Sequence, residues 1–140
     1  MNPELTIYLI ARIREKANRL ITEELNRHNL RGIAPSHGDI MLGLFKNTEL
    51  SMKELAEYID RDKSTVTYLI NKLTQLGYVE KKPGIRDRRK SLISLTRKGR
   101  ELREDIIEIS EKLLARVFKS LSNEERDVLN ELLARINENW

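Results

Sequence analysis

A series of polar side chains in the middle of the chain carries groups that recognise anions and base edges. Its members are Lys63, Ser64, Thr65, Thr67, Tyr68, Asn71, Lys72 and Gln75. Short hydroxyls at the start of a helix let its backbone approach a phosphate, and the helix dipole at that end favours negative charge. Amide and ammonium groups further along the helix can reach base edges or phosphates. This chemistry favours a nucleic acid as the partner.

A basic loop follows this series of polar side chains, which we call the polar stripe. Residues 81–90 hold six basic side chains and one acid, and the Pro83-Gly84 pair among them favours a turn. The candidate contacts are Arg86, Asp87, Arg88, Arg89 and Lys90, which we call the wing loop. Arginine is attracted to the minor groove where A·T-rich sequence narrows it. A polar stripe or a basic loop alone is usually solvated surface, so it is their adjacency that favours DNA binding.

The charge of the chain is distributed unevenly. Its 140 residues carry a net charge of +4, but residues 51–100 hold 13 Lys+Arg against 6 Asp+Glu, a net +7. Residues 1–50 carry +1, and residues 101–140 carry −4. A basic module between a neutral and an acidic segment predicts that the middle of the chain faces a polyanion.

The elements that must position these residues can be predicted from apolar spacing. Ser51 and Glu54 form a capping box that opens a short helix over residues 53–59. A polar turn leads to a second helix with Val66, Leu69, Ile70, Leu73 and Leu76 on one stripe, and Gly77 ends it. Two helices across a tight turn form a helix-turn-helix, whose second helix can lie in a major groove. Residues 78–81 and 92–95 then read as two strands of a hairpin that carries the basic loop.

The flanking segments are predicted to be helical. Apolar spacing indicates one helix over residues 5–25, and a second that Ser36 caps after Pro35 acts as a breaker. Thr96 is predicted to cap one long helix through residue 117, and Ser122 with Glu125 to open a last helix. The fold class is therefore mainly α with a small β-hairpin wing (α+β), a winged helix-turn-helix. The predicted segments are 1–34, 35–100 (winged helix-turn-helix) and 101–140, forming one intertwined unit.

The first and last helices carry apolar stripes that a monomeric winged helix does not need. The candidate dimerisation residues are Leu5, Leu9, Ile13, Val128, Leu132 and Ile136. These helices could fold back on their own domain, but we favour pairing of the stripes in a twofold homodimer. A twofold dimer would place two recognition helices about 34 Å apart, one turn of DNA, and predicts a pseudo-palindromic binding site.

Residues 51–102 resemble the DNA-binding core of the MarR family, the multiple-antibiotic-resistance-type winged-helix regulators. The matching stretches are Glu54-Leu55-Ala56, Lys63-Ser64-Thr65-Val66-Thr67, Leu73 with Gly77-Tyr78-Val79, and above all Asp87-Arg88-Arg89 leading to Leu95-Thr96 and Gly99. The flanking helices match the layout of the family as well. The resemblance implies a homodimeric regulator of transcription, here a ligand-responsive repressor that binds double-stranded DNA at a pseudo-palindromic operator.

The resemblance also implies roles for individual residues. Asp87 would pair with Arg89 and hold its guanidinium for the minor groove, although Asp87 could instead only relieve repulsion among the arginines. The family often has arginine where this chain has Tyr68, which cannot make the bidentate guanine contact, so the bound site is expected to be richer in A·T. Members commonly bind small aromatic or phenolic anions between the dimerisation helices and the winged domain, so a small aromatic or anionic effector is a candidate ligand.

Other kinds of chemistry find little support. The chain has no cysteine, and His28 and His37 have no clustered partners in sequence, so we expect no metal site and no cofactor. No catalytic set of nucleophile, base and acid stands out, so an enzyme is not expected. The longest apolar run, residues 7–11, is too short to span a membrane, and we expect a cytoplasmic protein. A winged-helix regulator of another class, or a winged helix that binds protein without DNA, remains an alternative.

Overall fold

The computed structural model describes residues 2–140, so residue 1 of the first predicted segment lies outside it. About two thirds of the chain is helical, with one small antiparallel sheet, which confirms the predicted fold class. The elements, in chain order, are α1 (Glu4–Arg27), α2 (Pro35–Lys46), β1 (Leu50–Ser51), α3 (Met52–Ile59), α4 (Lys63–Gln75), β2 (Val79–Pro83), β3 (Ser91–Leu95), α5 (Arg97–Arg100), α6 (Arg103–Val117) and α7 (Asn123–Glu138).

The sheet has three strands in the order β1-β3-β2, all antiparallel. Strands β2 and β3 form the predicted hairpin, with Val79 opposite Leu95 at its base and Pro83 opposite Ser91 at its far end. The sequence did not predict β1, because a strand of two residues is too short to show an alternating pattern. In the structure, β1 pairs with β3 and places Leu50 opposite Ile93. Pro83, predicted in the loop, is the last residue of β2, where the missing N–H of proline costs no hydrogen bond in the ladder.

One hydrophobic core joins the helices to the sheet. Its most deeply buried side chains are Ile40, Met41, Leu55, Val66, Ile70, Leu73 and Ile93. Leu25 from α1 and Ile106 and Ile109 from α6 belong to the same cluster. The core therefore runs across the predicted segment boundaries, and the winged part is anchored directly on the flanking helices.

Both predicted capping boxes are present. The Ser51 hydroxyl accepts the N–H of Glu54 at 3.1 Å while the Glu54 carboxylate accepts the N–H of Ser51 at 3.0 Å. Ser122 and Glu125 make the same reciprocal pair at the start of α7. These boxes set the first residue of the helix-turn-helix and of the terminal helix.

The predicted start of α2 was wrong. Pro35 is the first helical residue and not a breaker, since its fixed φ suits the first helical position, where no N–H is needed. Extended Ala34 takes the capping position, and its N–H donates to Nδ1 of His37 at 2.9 Å. Ser36 is thus inside the helix rather than its cap.

The predicted long helix after Thr96 was also wrong, because it is divided into α5 and α6. Thr96 does cap a helix, accepting the N–H of Gly99 at 3.1 Å, but that helix ends at Arg100. The break is a tightened turn in which Leu102 donates to the carbonyl of Gly99, three residues back, at 3.1 Å. The Arg100 guanidinium holds the turn against the sheet by donating to the carbonyl of Leu95 at 3.0 Å.

Candidate nucleic-acid interface

The turn between α3 and α4 is built by two acidic residues. Asp60 ends α3 in the left-handed conformation, with φ of 53°, which an aspartate tolerates better than most side chains. Asp62 then caps α4, its carboxylate accepting the N–H of Thr65 at 2.8 Å. Because both ends of the turn are fixed, α4 leaves α3 in a defined direction, as a helix-turn-helix requires.

Helix α4 divides cleanly into a buried and an outward face. Val66, Leu69, Ile70 and Leu73 lie in the core. The predicted recognition residues lie on the outward face, where Lys63, Ser64, Thr67, Tyr68, Asn71 and Gln75 are exposed and Thr65 and Lys72 are half-buried. Tyr68 is 73% exposed, so its ring and hydroxyl are open to an external partner.

The hydroxyls at the start of α4 are already engaged. Ser64 donates to the Asp62 carboxylate at 3.2 Å, and Thr67 donates to the carbonyl of Lys63 at 2.9 Å. Hydrogen bonds from the side chain and backbone of Thr65 lower the pKa of Asp62, which keeps its charge at this helix end. A phosphate would therefore meet a negative carboxylate at the helix terminus, so the expected backbone contact there is weakened and Lys63 becomes the stronger candidate.

Lys72 differs from the other predicted contacts. It is half-buried, and its Cε and Nζ lie 3.7 and 3.8 Å from where a side chain on Gly32 would begin. Its charge also lowers the pKa of His37, together with the larger effect of burial. Lys72 thus lies back toward the connection between α1 and α2, and it would have to swing outward to contact DNA.

The wing loop is closed by backbone hydrogen bonds. Gly84 donates to the carbonyl of Lys90 at 2.7 Å, and Lys90 donates to the carbonyl of Asp87 at 3.1 Å. A side chain on Gly84 would lie 2.6 Å from the Asp87 carbonyl oxygen, so this position needs glycine for close approach. The tip of the hairpin is therefore a folded turn and not a loose loop.

Asp87 and Arg89 form the pair that the resemblance implied. The Asp87 carboxylate accepts the Arg89 backbone N–H at 3.0 Å and its Nε at 3.3 Å. The Arg89 side chain remains 93% exposed, and Arg86, Arg88 and Lys90 are exposed too. One carboxylate therefore orients a guanidinium toward solvent while the rest of the loop keeps its excess positive charge.

The predicted dimerisation residues are all exposed within a single chain. Leu5, Leu9 and Ile13 on α1 are 40–52% exposed, and Val128, Leu132 and Ile136 on α7 are 45–54% exposed. Within the described part of the chain, none of the side chains of α7 is buried. The helix keeps a polar outer face and an apolar stripe that its own chain does not cover.

A histidine network that the sequence did not predict links α1 to α6. His28 Nδ1 lies 2.8 Å from a carboxylate oxygen of Asp105, and its Nε2 lies 3.8 Å from Glu24. Lys112 donates to Glu24 at 3.1 Å, and that hydrogen bond lowers the pKa of the Glu24 carboxyl. The members of the network are up to 88 positions apart in sequence, so no local pattern could have revealed them. These contacts connect α1 to α6.

A half-open cavity lies where α2, the sheet and the start of α6 meet. Its volume is about 370 Å³, and its lining residues are Leu44, Phe45, Lys46, Asn47, Thr48, Leu95, Arg100 and Arg103. A lining that combines apolar and aromatic side chains with guanidinium groups is typical of sites for small organic anions. In residues 2–140 no helix is long and apolar enough to cross a membrane.

The helix-turn-helix, the three-stranded sheet and the charged hairpin define a winged helix-turn-helix protein. The family model described as MarR family matches residues 31–90. The chain is also 33% identical over 104 residues to the HTH-type transcriptional regulator SarZ of Staphylococcus aureus, covering 74% of this chain and 70% of that protein. The chain belongs to the MarR family, which consists of transcriptional regulators rather than enzymes. The aligned segments span 66–70% of the lengths of its curated relatives.

Solved structures share this fold over nearly the whole chain. A mutant of MarR from E. coli, crystallised with operator DNA, superposes with a TM-score of 0.82 at 24% identity, over 92% of this chain and 91% of that one. BpsR of Bordetella bronchiseptica, whose DNA binding is regulated by 6-hydroxynicotinic acid, superposes with a TM-score of 0.85 at 20% identity, over 95% and 93% of the chains. Because these sequence identities are below 25%, the superpositions establish a shared fold and nothing further.

Proposed function

We propose that this protein is a ligand-responsive repressor that binds a pseudo-palindromic operator as a homodimer. The outward face of α4 enters the major groove, and the wing loop lies in the adjacent minor groove. Lys63, Ser64, Thr65, Thr67, Tyr68 and Asn71 face the bases and phosphates, and Lys72 joins them by moving away from Gly32. A regulator of this kind works beside the chromosome, so we assign it to the cytoplasm.

The observation that carries this proposal is the exposed outward face of α4 beside a hairpin with an excess of exposed cations. Tyr68 is 73% exposed, and Arg89 stays 93% exposed although it pairs with Asp87, so both side chains are open to an external partner. The superposable MarR structure holds operator DNA, which supports the same use of the fold here. The acidic segment 101–140 carries a net −4 and is unsuited to DNA, so the contact surface is confined to the winged part.

We propose the homodimer on the exposed stripes of α1 and α7. Each of the two terminal helices carries a stripe of three aliphatic side chains that are about half exposed, and exposed apolar stripes of this kind mark interfaces. A shallow apolar pocket beside Leu121, Val128, Leu129 and Leu132 offers space for a side chain of a second copy. Two copies place two recognition helices on one face of the duplex, as an inverted repeat requires.

We propose that the cavity of about 370 Å³ binds an effector, a small aromatic carboxylate. Phe45 and Leu95 would pack on the ring, and Arg103 would pair with the carboxylate. The cavity lies between the winged part and α6, so a ligand that prefers one arrangement of these parts shifts the separation of the recognition helices. Regulation of BpsR by 6-hydroxynicotinic acid is a precedent on the same fold.

The experiment that tests DNA binding begins with selection of random-sequence duplexes on the purified protein. We expect an A·T-rich inverted repeat with half-sites about one turn apart, bound with an affinity that falls steeply with salt. Recovery of no enriched sequence, with no salt-dependent binding, would favour the alternative of a winged helix that binds protein. A guanine-rich consensus protected at the position of Tyr68 would contradict the assigned readout. A reporter placed behind the selected site then separates repression from activation.

A further inference from the structure

The tip of the wing carries an exposed apolar side chain in the middle of a basic segment. Ile85 is 95% exposed and stands between Gly84 and Arg86. It is the one branched aliphatic residue among residues 81–90, a segment with six basic side chains. In this position Ile85 contributes nothing to the core, and its whole side chain is free to contact an external partner.

The loop holds Ile85 outward in a fixed position. The bonds from Gly84 to Lys90 and from Lys90 to Asp87, at 2.7 and 3.1 Å, close the turn behind it. A side chain on Gly84 would lie 2.6 Å from the Asp87 carbonyl oxygen, so the backbone on one side of Ile85 is packed closely against the other arm of the turn. A side chain presented by a closed turn loses little conformational entropy on binding, which favours its use as a contact.

We propose that Ile85 is a wedge that inserts into the minor groove and packs against deoxyribose and base edges at the flank of each half-site. This inference rests on the proposed function and adds to it the contact made by the wing tip. Arg86, Arg88 and Lys90 neutralise phosphates on either side, and the oriented Arg89 enters the groove, so the tip is carried to the floor of the groove. Apolar residues of this size part base steps in architectural minor-groove proteins.

The chemistry around Ile85 identifies the occupant as DNA rather than an apolar protein surface. A protein partner would have to supply acidic groups against four cations while also covering a single isoleucine. A minor groove offers phosphates at both edges and apolar sugar walls between them, which matches this arrangement of side chains. Insertion is easiest at flexible pyrimidine–purine steps, so Ile85 also gives the wing a preference for TA or CA steps.

The test uses the full-length protein and a fluorescent duplex carrying the selected inverted repeat, with a TA or an AA step at the position under the wing. For Ile85→Ala we expect about tenfold weaker binding for each wing, hence about a hundredfold for a dimer, with an unchanged salt slope. The variant should also lose the preference for TA over AA. Ile85→Leu should keep affinity within about threefold and keep that preference.

Two controls make the result decisive. Trp140→Ala removes another fully exposed apolar side chain, 99% exposed and outside the winged part, and should leave DNA affinity unchanged. Arg89→Ala should lower both affinity and salt slope, which separates a charge contact from a wedge. Equal binding of Ile85→Ala and the unmodified protein, while Arg89→Ala binds more weakly, would overturn the wedge and leave the proposed function standing. If no duplex is bound by the unmodified protein, the proposed function fails and the wedge fails with it.

Discussion

Replacing Leu132 by glutamate tests the proposed dimer at the centre of its apolar stripe. Leu132 is 45% exposed on α7 and lines the shallow pocket beside Leu121 and Val128. Because α7 buries none of its described side chains in its own chain, a change here should leave the winged part folded. The substitution thus acts on association and not on the fold.

The magnitude follows from the exposed area of Leu132. Full burial of such a side chain stabilises by about 1.5–3 kcal/mol, so its exposed half is worth about 1 kcal/mol per protomer. Leu132→Ala should then cost the dimer about 2 kcal/mol, or about thirtyfold in Kd. Leu132→Glu adds the cost of desolvating two carboxylates, which brings the loss to several kcal/mol and a weakening of at least about a thousandfold.

Sedimentation equilibrium at micromolar concentration measures the effect directly. The unmodified protein should sediment at twice the chain mass of 16.4 kDa, and Leu132→Glu at 16.4 kDa. Asn130→Glu adds the same charge on the opposite, exposed face of α7 and should remain dimeric. An unmodified protein at the mass of one chain, or a Leu132→Glu variant as dimeric as its control, would refute the assignment of α7 to the interface.

Four further predictions concern the winged part and its supports. Arg89→Ala should lower the salt slope of DNA binding by about one unit for each wing, because a cation in the groove that displaces counterions from the DNA is lost; an unchanged slope would exclude Arg89 as a contact. Ser51→Ala should destabilise the protein by about 1 kcal/mol in urea unfolding, because the cap of α3 is lost, whereas no change would mean that the strand pairing of β1 alone holds this end. Burial first, and then Lys72, lower the pKa of His37, so the unfolded chain binds its proton more readily: the stability that neutral His37 contributes is complete above pH 6.5 and falls as pH drops below it. Melting temperatures at pH 7.5 and 5.5 should show this loss, and His37→Gln should reduce it, while an equal loss in the variant would assign it to another group. Arg103→Ala should abolish release of DNA by 6-hydroxynicotinate or salicylate if these probes act through the cavity; release that survives the change would place the effector elsewhere.

The capping and helical periodicity of this chain made most of its elements predictable. Ser51 with Glu54 and Ser122 with Glu125 are local signals, because the residues that bond to each other are three positions apart. The buried stripe of α4 was equally readable, since its members recur at helical spacing. The pairing of Asp87 with Arg89 followed from the family resemblance, and the structure places the two groups in contact.

The features that sequence reasoning missed depend on contacts between distant segments. Strand β1 exists only because Leu50 meets Ile93, and His28 meets Asp105 across 77 positions. At the division of the long helix, Arg100 donates a hydrogen bond to the sheet, and apolar periodicity could not have predicted this contact. The position of the Lys72 side chain beside Gly32 also depends on a contact between distant segments. Helical spacing alone placed Lys72 on the outward face, but its side chain is not in position to contact DNA.

The short helix α5 joins three parts of the molecule at one point. Lys98 donates to the carbonyl of Leu76 at 2.9 Å at the end of α4, and Thr96 donates to the carbonyl of Gly77. Gly99 passes so close to the carbonyl of Tyr78 that any side chain there would overlap it. These contacts join the recognition helix, the base of the hairpin and the start of α6 into one rigid unit. In the proposed homodimer, the distance between the two wings depends on the angle between two such units. A small rotation at the dimer interface would therefore produce a displacement at the DNA that grows with the length of the unit.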